Sequence, residues 1–206
     1  MNAAVARTFI AVPIPDFDHS GLRKPLRKVL NDLELLNPSG PSEHRSLRVT
    51  PFAQLHITLK FLGDTPVEMF SRIESAIQQT ADAAEPFECR FPGLGTFPNA
   101  DRPTVVWSRI EPEARFRQAA QALDQALQPE FQPEKRPYQP HLTLARIKGR
   151  APASLGVFLR EHAEAALGTL AVDQIVLVRS ILETTGAKYE ILKTFPLHRS
   201  TGAVND

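Results

Sequence analysis

Two short segments of the chain alternate apolar with polar residues. Residues 55–61 read LHITLKF, and residues 141–147 read HLTLARI. Alternation with a period of two is the pattern of a strand that is buried on one face. Apolar runs bounded by proline, glycine or polar residues predict further strands at 8–12, 87–92, 104–110, 171–181 and 188–195. The last two are expected to form a hairpin.

Four other segments carry apolar residues three or four positions apart, which is the spacing of one face of a helix. These predicted helices are residues 16–36, 66–84, 112–127 and 153–166. Asp16 or Asp18 is placed to cap the first, and Pro66 begins the second. Helices and strands follow in a similar order in the two halves of the chain, without a linker, which predicts one α+β domain over residues 1–206.

The composition is typical of a globular protein. Hydrophobic residues make up 42% of the 206 residues, enough for a sizeable core, and the net charge of +1 favours no class of charged partner. The first apolar run ends at Pro13, too short for a signal peptide, and no run reaches the roughly 18 residues of a membrane helix. With Cys89 as its single cysteine, the chain is expected to be soluble and cytoplasmic.

The two alternating segments share the motif His-x-Thr-Leu, in a chain with six histidines. Side chains in a strand alternate between faces, so His56 shares a face with Thr58, and His141 shares a face with Thr143. Neighbours on one face are about 6.5–7 Å apart, which lets an imidazole and a hydroxyl contact one small tetrahedral group. If the two strands lie side by side, two imidazoles and two hydroxyls converge on one groove.

Two facing histidines suit acid–base catalysis near neutral pH. An unperturbed imidazole titrates near pH ~6.5, so one ring can take a proton from water while the other gives a proton to a leaving oxygen. The hydroxyls of Thr58 and Thr143 can donate to oxygens on which negative charge accumulates. A phosphodiester offers such oxygens together with an attacking and a leaving oxygen, so the motif pair predicts a phosphodiester substrate.

A basic cluster around the second motif is a further indication of phosphate. Its members are Lys135, Arg136, Arg146, Lys148 and Arg150, with Glu134 as the one acidic neighbour. A solvated face is the default interpretation of such a cluster, and a local positive field that attracts a polyanion is the alternative. Strict alternation places Arg146 on the face opposite His141, so this arginine reaches the groove only if the strand ends or bulges first.

The remaining candidates for chemistry have structural interpretations. A metal site is not predicted, because two histidines supply two ligands and zinc sites take three or four. Cys89 is expected to be a buried thiol, and Phe97 and Trp107 are expected to belong to the core. The histidines without a matching context are expected at the surface: His19, His44, His162 and His198.

The extended motifs resemble those of the 2H phosphoesterase superfamily, and within it the bacterial and archaeal RNA 2',3'-cyclic phosphodiesterases, historically called RNA 2'-5' ligases. LHITLKFLG at 55–63 and RPYQPHLTLAR at 136–146 resemble the two family motifs. Residues 7–15, 102–107 and 189–197 resemble its opening, middle and final strands. The resemblance implies a bilobal fold of two pseudo-symmetric antiparallel-sheet lobes, with helices packed outside and a central active-site groove.

The resemblance also implies metal-independent hydrolysis of RNA 2',3'-cyclic phosphate ends to 2'-phosphomonoesters, without a cofactor, with reversible 2'-5' ligation as a further activity. A monomer is expected. His56 would be the general acid on the leaving 3' oxygen, and His141 the general base on water. The implied phosphate ligands are Thr58, Thr143 and Arg146, and the implied base-stacking residues are Phe9 and Tyr138.

One segment departs from the family pattern and leaves the substrate open. Residues 37–54 are a longer stretch than the family needs. Arg45 and Arg48 either cover the groove and change the preferred substrate length, or lie in a solvated loop. RNA ends, small cyclic nucleotides and 2'-5' oligonucleotides all fit the chemistry. Two other classes are open as well: an RNA-end binding module without turnover, and a two-histidine metal hydrolase.

Overall fold

Ten strands and four α-helices make up the part of the chain that the structure, a computed structural model, describes: residues 4–15, 21–38, 45–134, 136–183 and 186–198. The strands are β1 (Val5–Pro13), β2 (Leu47–Val49), β3 (His56–Pro66), β4 (Phe87–Pro92), β5 (Leu94–Phe97), β6 (Val105–Ser108), β7 (Leu142–Ile147), β8 (Ala166–Val172), β9 (Gln174–Glu183) and β10 (Gly186–Pro196). The helices are α1 (Arg23–Leu35), α2 (Phe70–Asp82), α3 (Glu113–Ala126) and α4 (Leu155–Glu161).

Eight of these strands form one antiparallel sheet with a narrow waist. Their order is β10-β9-β1-β3-β7-β6-β5, and β2 also pairs with β7. A single Cα pair, Ile57 with Leu142, joins β3 to β7 at the centre. The waist divides the sheet into a first lobe, β10-β9-β1-β3, and a second lobe, β7-β6-β5 with β2. The predicted bilobal α+β architecture is therefore confirmed.

The helices and the main core lie on one side of this sheet. Helix α2 contacts β9 and β10, α3 contacts β3, and α1 contacts β2. Ile57 and Leu142 point to this side and are fully buried in the main core. Their strand neighbours therefore point to the opposite side, which we call the groove face.

The sequence pattern located the long elements and missed the short ones. Strands β2 and β5 were not predicted, and most of β8 was missed: its first residue was assigned to a helix, its last two to the predicted strand 171–181, and the residues between them to no element. The proposed aspartate cap is wrong, since α1 begins at Arg23 with Leu22 at its N-cap and no side-chain cap; Asp16 and Asp18 lie outside the described residues.

The two lobes are not the two halves of the chain. The hairpin β9–β10 was grouped with the second motif by its place in the sequence. It pairs instead with β1, through Thr8 with Arg179 and the residues that follow, and so extends the lobe that carries His56. Within the described residues, no helix has the length and apolar character needed to cross a membrane.

Candidate active site

The two His-x-Thr motifs meet at the waist of the sheet. Because the strands are antiparallel and Ile57 is opposite Leu142, the histidine of each motif lies opposite the threonine of the other. All four of these side chains are half-buried on the groove face, while the two central residues are fully buried behind them. The predicted convergence of two imidazoles and two hydroxyls is therefore what the pairing produces.

A β-bulge follows each motif at the same position. The register of β3 against β1 skips Leu59, and the register of β7 against β6 skips Leu144. A bulge sets two residues of one strand against one of its partner, so the residues after it change face. The bulge therefore places Arg146 on the groove face, whereas strict alternation would place it on the face opposite His141.

The bulge in β3 has a second consequence for the first motif. Alternation placed Lys60 beside the histidine and threonine, but Lys60 is buried on the helix side, where its ammonium pairs with Asp124 of α3. Phe61 takes the groove-face position that corresponds to Arg146 in the other lobe, and it is 55% exposed. The two lobes therefore differ in charge at equivalent positions.

Both histidines are held in the same tautomer by the backbone. The Nδ1 atom of His56 lies 2.7 Å from the carbonyl oxygen of Gln54, and Nδ1 of His141 lies 2.8 Å from that of Gln139. A carbonyl oxygen only accepts hydrogen bonds, so Nδ1 carries a proton in each ring. The Nε2 atoms are left for proton transfer with a substrate.

Burial and nearby positive charge lower the pKa of both imidazoles. For His56 and for His141, burial is the largest cause, and it lowers the pKa because the charged ring loses hydration. The hydrogen bonds to the backbone carbonyls raise the pKa, and the guanidinium of Arg146 lowers it at both rings. One arginine therefore acts on both histidines from the groove face.

Each histidine is flanked by an aromatic pair from its own lobe. The ring of His56 lies 4.7 Å from Phe9 and 5.1 Å from Tyr189. Phe9 is 3% exposed and belongs to a small apolar cluster on the groove face. Phe9 was expected to stack on a base, but its ring is covered by the cluster and packs against the histidine. The observed contact of Phe9 in the groove is therefore with the ring of His56.

Phe97 and Trp107 form the corresponding pair around His141. Their rings lie 5.0 Å and 6.2 Å from the imidazole and are stacked on each other at 4.8 Å. Trp107 is buried, as expected, but it lies opposite Thr143 on the groove face and outside the main core; Phe97 is half-buried, so its core assignment was wrong. Gly95 permits this packing, because a Cβ there would lie 2.7 Å from the indole.

Tyr138 connects the two motifs. Its hydroxyl donates a hydrogen bond of 2.8 Å to the main-chain oxygen of Thr58, and its ring packs against the main core. Burial raises the pKa of this phenol, which keeps the hydroxyl a donor. Tyr138 was expected to stack on a base, whereas the structure gives it a bridging contact between the segment before His141 and the first motif strand.

The other sequence candidates that the structure describes lie away from the groove centre. Cys89 is fully buried, and burial raises its pKa to about 12, as expected for an unreactive thiol. His162 is half-buried and stacks on Phe158 at 4.1 Å, so its surface assignment was wrong, whereas His198 is exposed beside Asp82. Lys135, His19 and His44 lie outside the described residues.

The basic cluster is only partly associated with the site. Arg136, Lys148 and Arg150 are exposed, and of the cluster members that the structure describes, Arg146 is the one whose charge affects the histidines. Arg48 was assigned to a loop of unknown role. It lies in β2 and is the cross-strand partner of Arg146. Across the described ranges, no three His, Cys, Asp or Glu side chains are grouped so that they could hold a metal ion.

A two-lobed antiparallel sheet that presents two His-x-Thr strands on one face defines the two-histidine, or 2H, phosphoesterases. The model of the 2'-5' RNA ligase superfamily matches residues 26–182, and the chain belongs to this family. An RNA 2',3'-cyclic phosphodiesterase of Methanothermobacter thermautotrophicus is 32% identical over 93% of this chain and 98% of its own.

Two solved structures share the fold over nearly their whole length. The TT0787 protein of Thermus thermophilus has a TM-score of 0.72 and 29% identity, covering 93% of this chain and 97% of its own. The LigT protein of E. coli, solved in complex with 3'-AMP, has a TM-score of 0.71 and 20% identity, covering 95% of this chain and all of its own. The sequence-based assignment to the superfamily is therefore confirmed.

Proposed function

We propose that this chain hydrolyses the 2',3'-cyclic phosphate ends of RNA to 2'-phosphomonoesters. The observation that carries the proposal is the crossed pairing of two histidines and two threonines on one face, with Arg146 brought beside them by a bulge. The relatives named above as RNA 2',3'-cyclic phosphodiesterases support the substrate class. Because those relatives are named for RNA, we propose RNA ends as the substrate in preference to a small cyclic nucleotide.

The reaction needs two proton transfers, and each motif supplies one. Nε2 of His141 takes a proton from water as the water oxygen bonds to phosphorus. Nε2 of His56, protonated, gives its proton to the 3' oxygen as the bond between that oxygen and phosphorus breaks. The products are a 2'-phosphate and a 3'-hydroxyl, and exchange with solvent restores both rings.

Three groups on the groove face stabilise the developing charge. The hydroxyls of Thr58 and Thr143 donate to the non-bridging oxygens, and the guanidinium of Arg146 donates charge-assisted hydrogen bonds. Positioned acid or base groups each contribute about 10²–10⁴-fold to such reactions. The paired histidines thus supply proton transfer without a metal ion.

Substrate binding prepares the acid. In the free protein the lowered pKa values favour neutral rings, which suits the base but not the acid. A phosphodiester anion in the groove favours the protonated form of a facing imidazole and so raises its pKa. With a 5'-hydroxyl in place of the water, the same two transfers would join that hydroxyl to the cyclic phosphate as the 3' oxygen leaves, so 2'-5' ligation is part of the proposal.

The crossed pairing makes the two histidines nearly equivalent, so the assignment of acid and base needs an experiment of its own. A phosphodiester with a nitrophenolate leaving group does not need a general acid. His56→Asn is therefore expected to retain more activity on that substrate than His141→Asn does. The opposite order would exchange the two roles.

The proposed function is tested with EDTA-treated protein and a short RNA that ends in a 2',3'-cyclic phosphate. Conversion to the 2'-phosphate is expected, with about 10²–10⁴-fold loss in His56→Asn and in His141→Asn. His198→Asn, an exposed histidine outside the site, is the matched control and should keep full activity. Size measurement should show a monomer, since one chain carries both motifs.

Two results would contradict the proposal. Activity that EDTA abolishes and a divalent ion restores would favour a two-histidine metal hydrolase. Binding of the RNA end without turnover, unchanged in both histidine variants, would favour a binding module. A cytoplasmic location goes with the proposed substrate and is checked by cell fractionation.

A further inference from the structure

Two arginines face each other across the groove-side edge of the second lobe. Arg48 of β2 is the direct cross-strand partner of Arg146 of β7, and both side chains are exposed. Leu47, next to Arg48, is 1% exposed on the core side, so Arg48 points to the groove face. Directly opposed residues have Cβ atoms about 4.5–5.5 Å apart, and like charges at that distance destabilise the pair.

Neither guanidinium is neutralised by a carboxylate of the residues that the structure describes. In the described ranges, no carboxylate forms a salt bridge with Arg48 or Arg146, although Arg45, three residues earlier, is paired with Glu34 of α1. Two adjacent, unneutralised guanidinium groups offer a fork of N–H donors to one anion. The unfavourable repulsion would be offset by an anion bound between them.

Strand β2 is held firmly in place, although it has only three residues. Its two ends are bonded to β7, by Thr50 N–H to the Leu144 oxygen and by Lys148 N–H to the Ser46 oxygen, each at 2.8 Å. At its other edge the Asn37 side chain donates to the Leu47 oxygen and accepts from the Leu47 N–H, both at 3.0 Å. Arg48 therefore projects from a backbone that is fixed on both sides.

The arginine pair continues the row of reactive residues along β7. On the groove face, the row runs from His141 to Thr143 and then, past the bulge at Leu144, to Arg146. Three strand residues span roughly 7–10 Å, less where a bulge shortens the run. The arginine pair is thus about one nucleotide from the centre of the His-x-Thr cluster.

We propose that Arg48 and Arg146 form a second phosphate subsite, which binds the phosphodiester that joins the terminal nucleotide to the nucleotide before it. The inference rests on the proposed function and deepens it, since the preferred substrate becomes a chain of at least two nucleotides. Arg146 lies between the reacting phosphate and the second one. Arg48 lies beside Arg146 on the neighbouring strand and contacts the second phosphate alone.

Three substrates distinguish the contribution of the second phosphate to kcat/KM from that of the reacting phosphate. They are adenosine 2',3'-cyclic phosphate, its 5'-phosphorylated form, and the dinucleotide ApA with a 2',3'-cyclic phosphate end. The wild type is expected to turn over the second and third with about tenfold higher kcat/KM than the first. Arg48→Gln should lose that gain and keep the rate on the first substrate.

Two further variants exclude trivial explanations. Arg48→Lys should recover part of the gain, because it restores the charge but not the planar fork. Arg45→Gln, which removes a nearby arginine that is already paired with Glu34, should behave as the wild type. The gain should also weaken with added salt in the wild type and in Arg45→Gln, whereas Arg48→Gln should show no such gain at any salt concentration.

Three results would overturn the subsite. An equal loss on all three substrates would place Arg48 at the reacting phosphate or in the fold, and no loss on any would make it a solvated side chain. A loss on the dinucleotide but not on the 5'-phosphorylated monomer would assign the contact to the second nucleoside. Adenosine 2',3'-cyclic phosphate has no 5'-phosphate, so its turnover by the wild type reports the proposed function alone. The two proposals therefore fail separately.

Discussion

Replacing Tyr138 with phenylalanine removes one hydroxyl and retains the ring that packs against the core. That hydroxyl donates a hydrogen bond of 2.8 Å to the main-chain oxygen of Thr58, and it joins the segment before the second motif to the first motif strand. The same substitution separates two functions of this side chain. A base-stacking residue needs only the ring, whereas a bridge between the motifs needs the hydroxyl.

The expected cost follows from one neutral hydrogen bond in a half-buried setting. Such a bond contributes about 1 kcal/mol to the free energy of unfolding, and the orphaned carbonyl adds to the loss if water does not reach it. For a chain of about 200 residues, 1 kcal/mol lowers Tm by about 2–4 °C. We also expect a lower kcat, because Thr58 shares its strand with the histidine of the first motif.

The assay is a thermal melt together with kcat and KM on a short RNA with a cyclic phosphate end. Tyr189→Phe is the matched control for the melt, since Tyr189 is the other tyrosine of the chain and its hydroxyl forms no hydrogen bond with any described residue. An unchanged Tm and kcat in Tyr138→Phe, with a raised KM in Tyr138→Leu, would refute the bridge and support base stacking.

Three further predictions concern the groove. The pH profile of kcat/KM should be bell-shaped, with its optimum on the acidic side of the ordinary imidazole pKa, because the pKa of both histidines is lowered. Arg146→Gln should reduce kcat/KM about 10–100-fold and move both limbs to higher pH, since loss of the cation raises both pKa values; limbs that stay in place would contradict the position assigned to this arginine. Gly95→Ala should lower the free energy of unfolding by about 1–3 kcal/mol and also lower kcat, because the new Cβ would displace Trp107 and the ring of His141 that it flanks. Gly156→Ala in α4, where the nearest neighbour is 3.6 Å away, is the matched control, and an equal loss of stability there would disprove the argument.

The parts of the site that the sequence predicted are those set by local pattern. Alternation placed each histidine on one face with its threonine. The motif His-x-Thr-Leu occurs twice, which indicated that the two pairs work together. These inferences need only the period of a strand. The pairing of Ile57 with Leu142, which crosses the two motifs, is a tertiary contact that no single segment encodes.

The parts that were missed depend on register shifts. Lys60 and Arg146 were both assigned to the wrong face, because alternation counts residues and the two bulges each insert one. A leucine follows the threonine in both motifs, and the bulge lies at that leucine in both. A repeated apolar residue of this kind was the signal available in the sequence, but it does not distinguish a bulge from regular strand.

The side of the sheet on which the aromatic residues lie was missed for a related reason. Trp107 and Phe97 look like core residues in an apolar run, and composition offers no means of choosing between the two sides of a sheet. Gly95 was the informative residue, since a glycine inside a strand often marks a close approach. Strand β2 escaped prediction because three residues, flanked by polar ones, are too few to show a period.

The pairing of β1 between β3 and β9 has a consequence for protein synthesis. Residue 8 pairs with residue 179, so the lobe that holds His56 closes only after nearly the entire described chain has left the ribosome. Contacts of such long sequence separation form slowly, because the loop-closure entropy is lost before the contacts are gained. Tyr189, which flanks His56, is made later still. From residue 144 onward a nascent chain would therefore carry both motifs without a finished catalytic centre, and activity would arise only after β9 and β10 have been made.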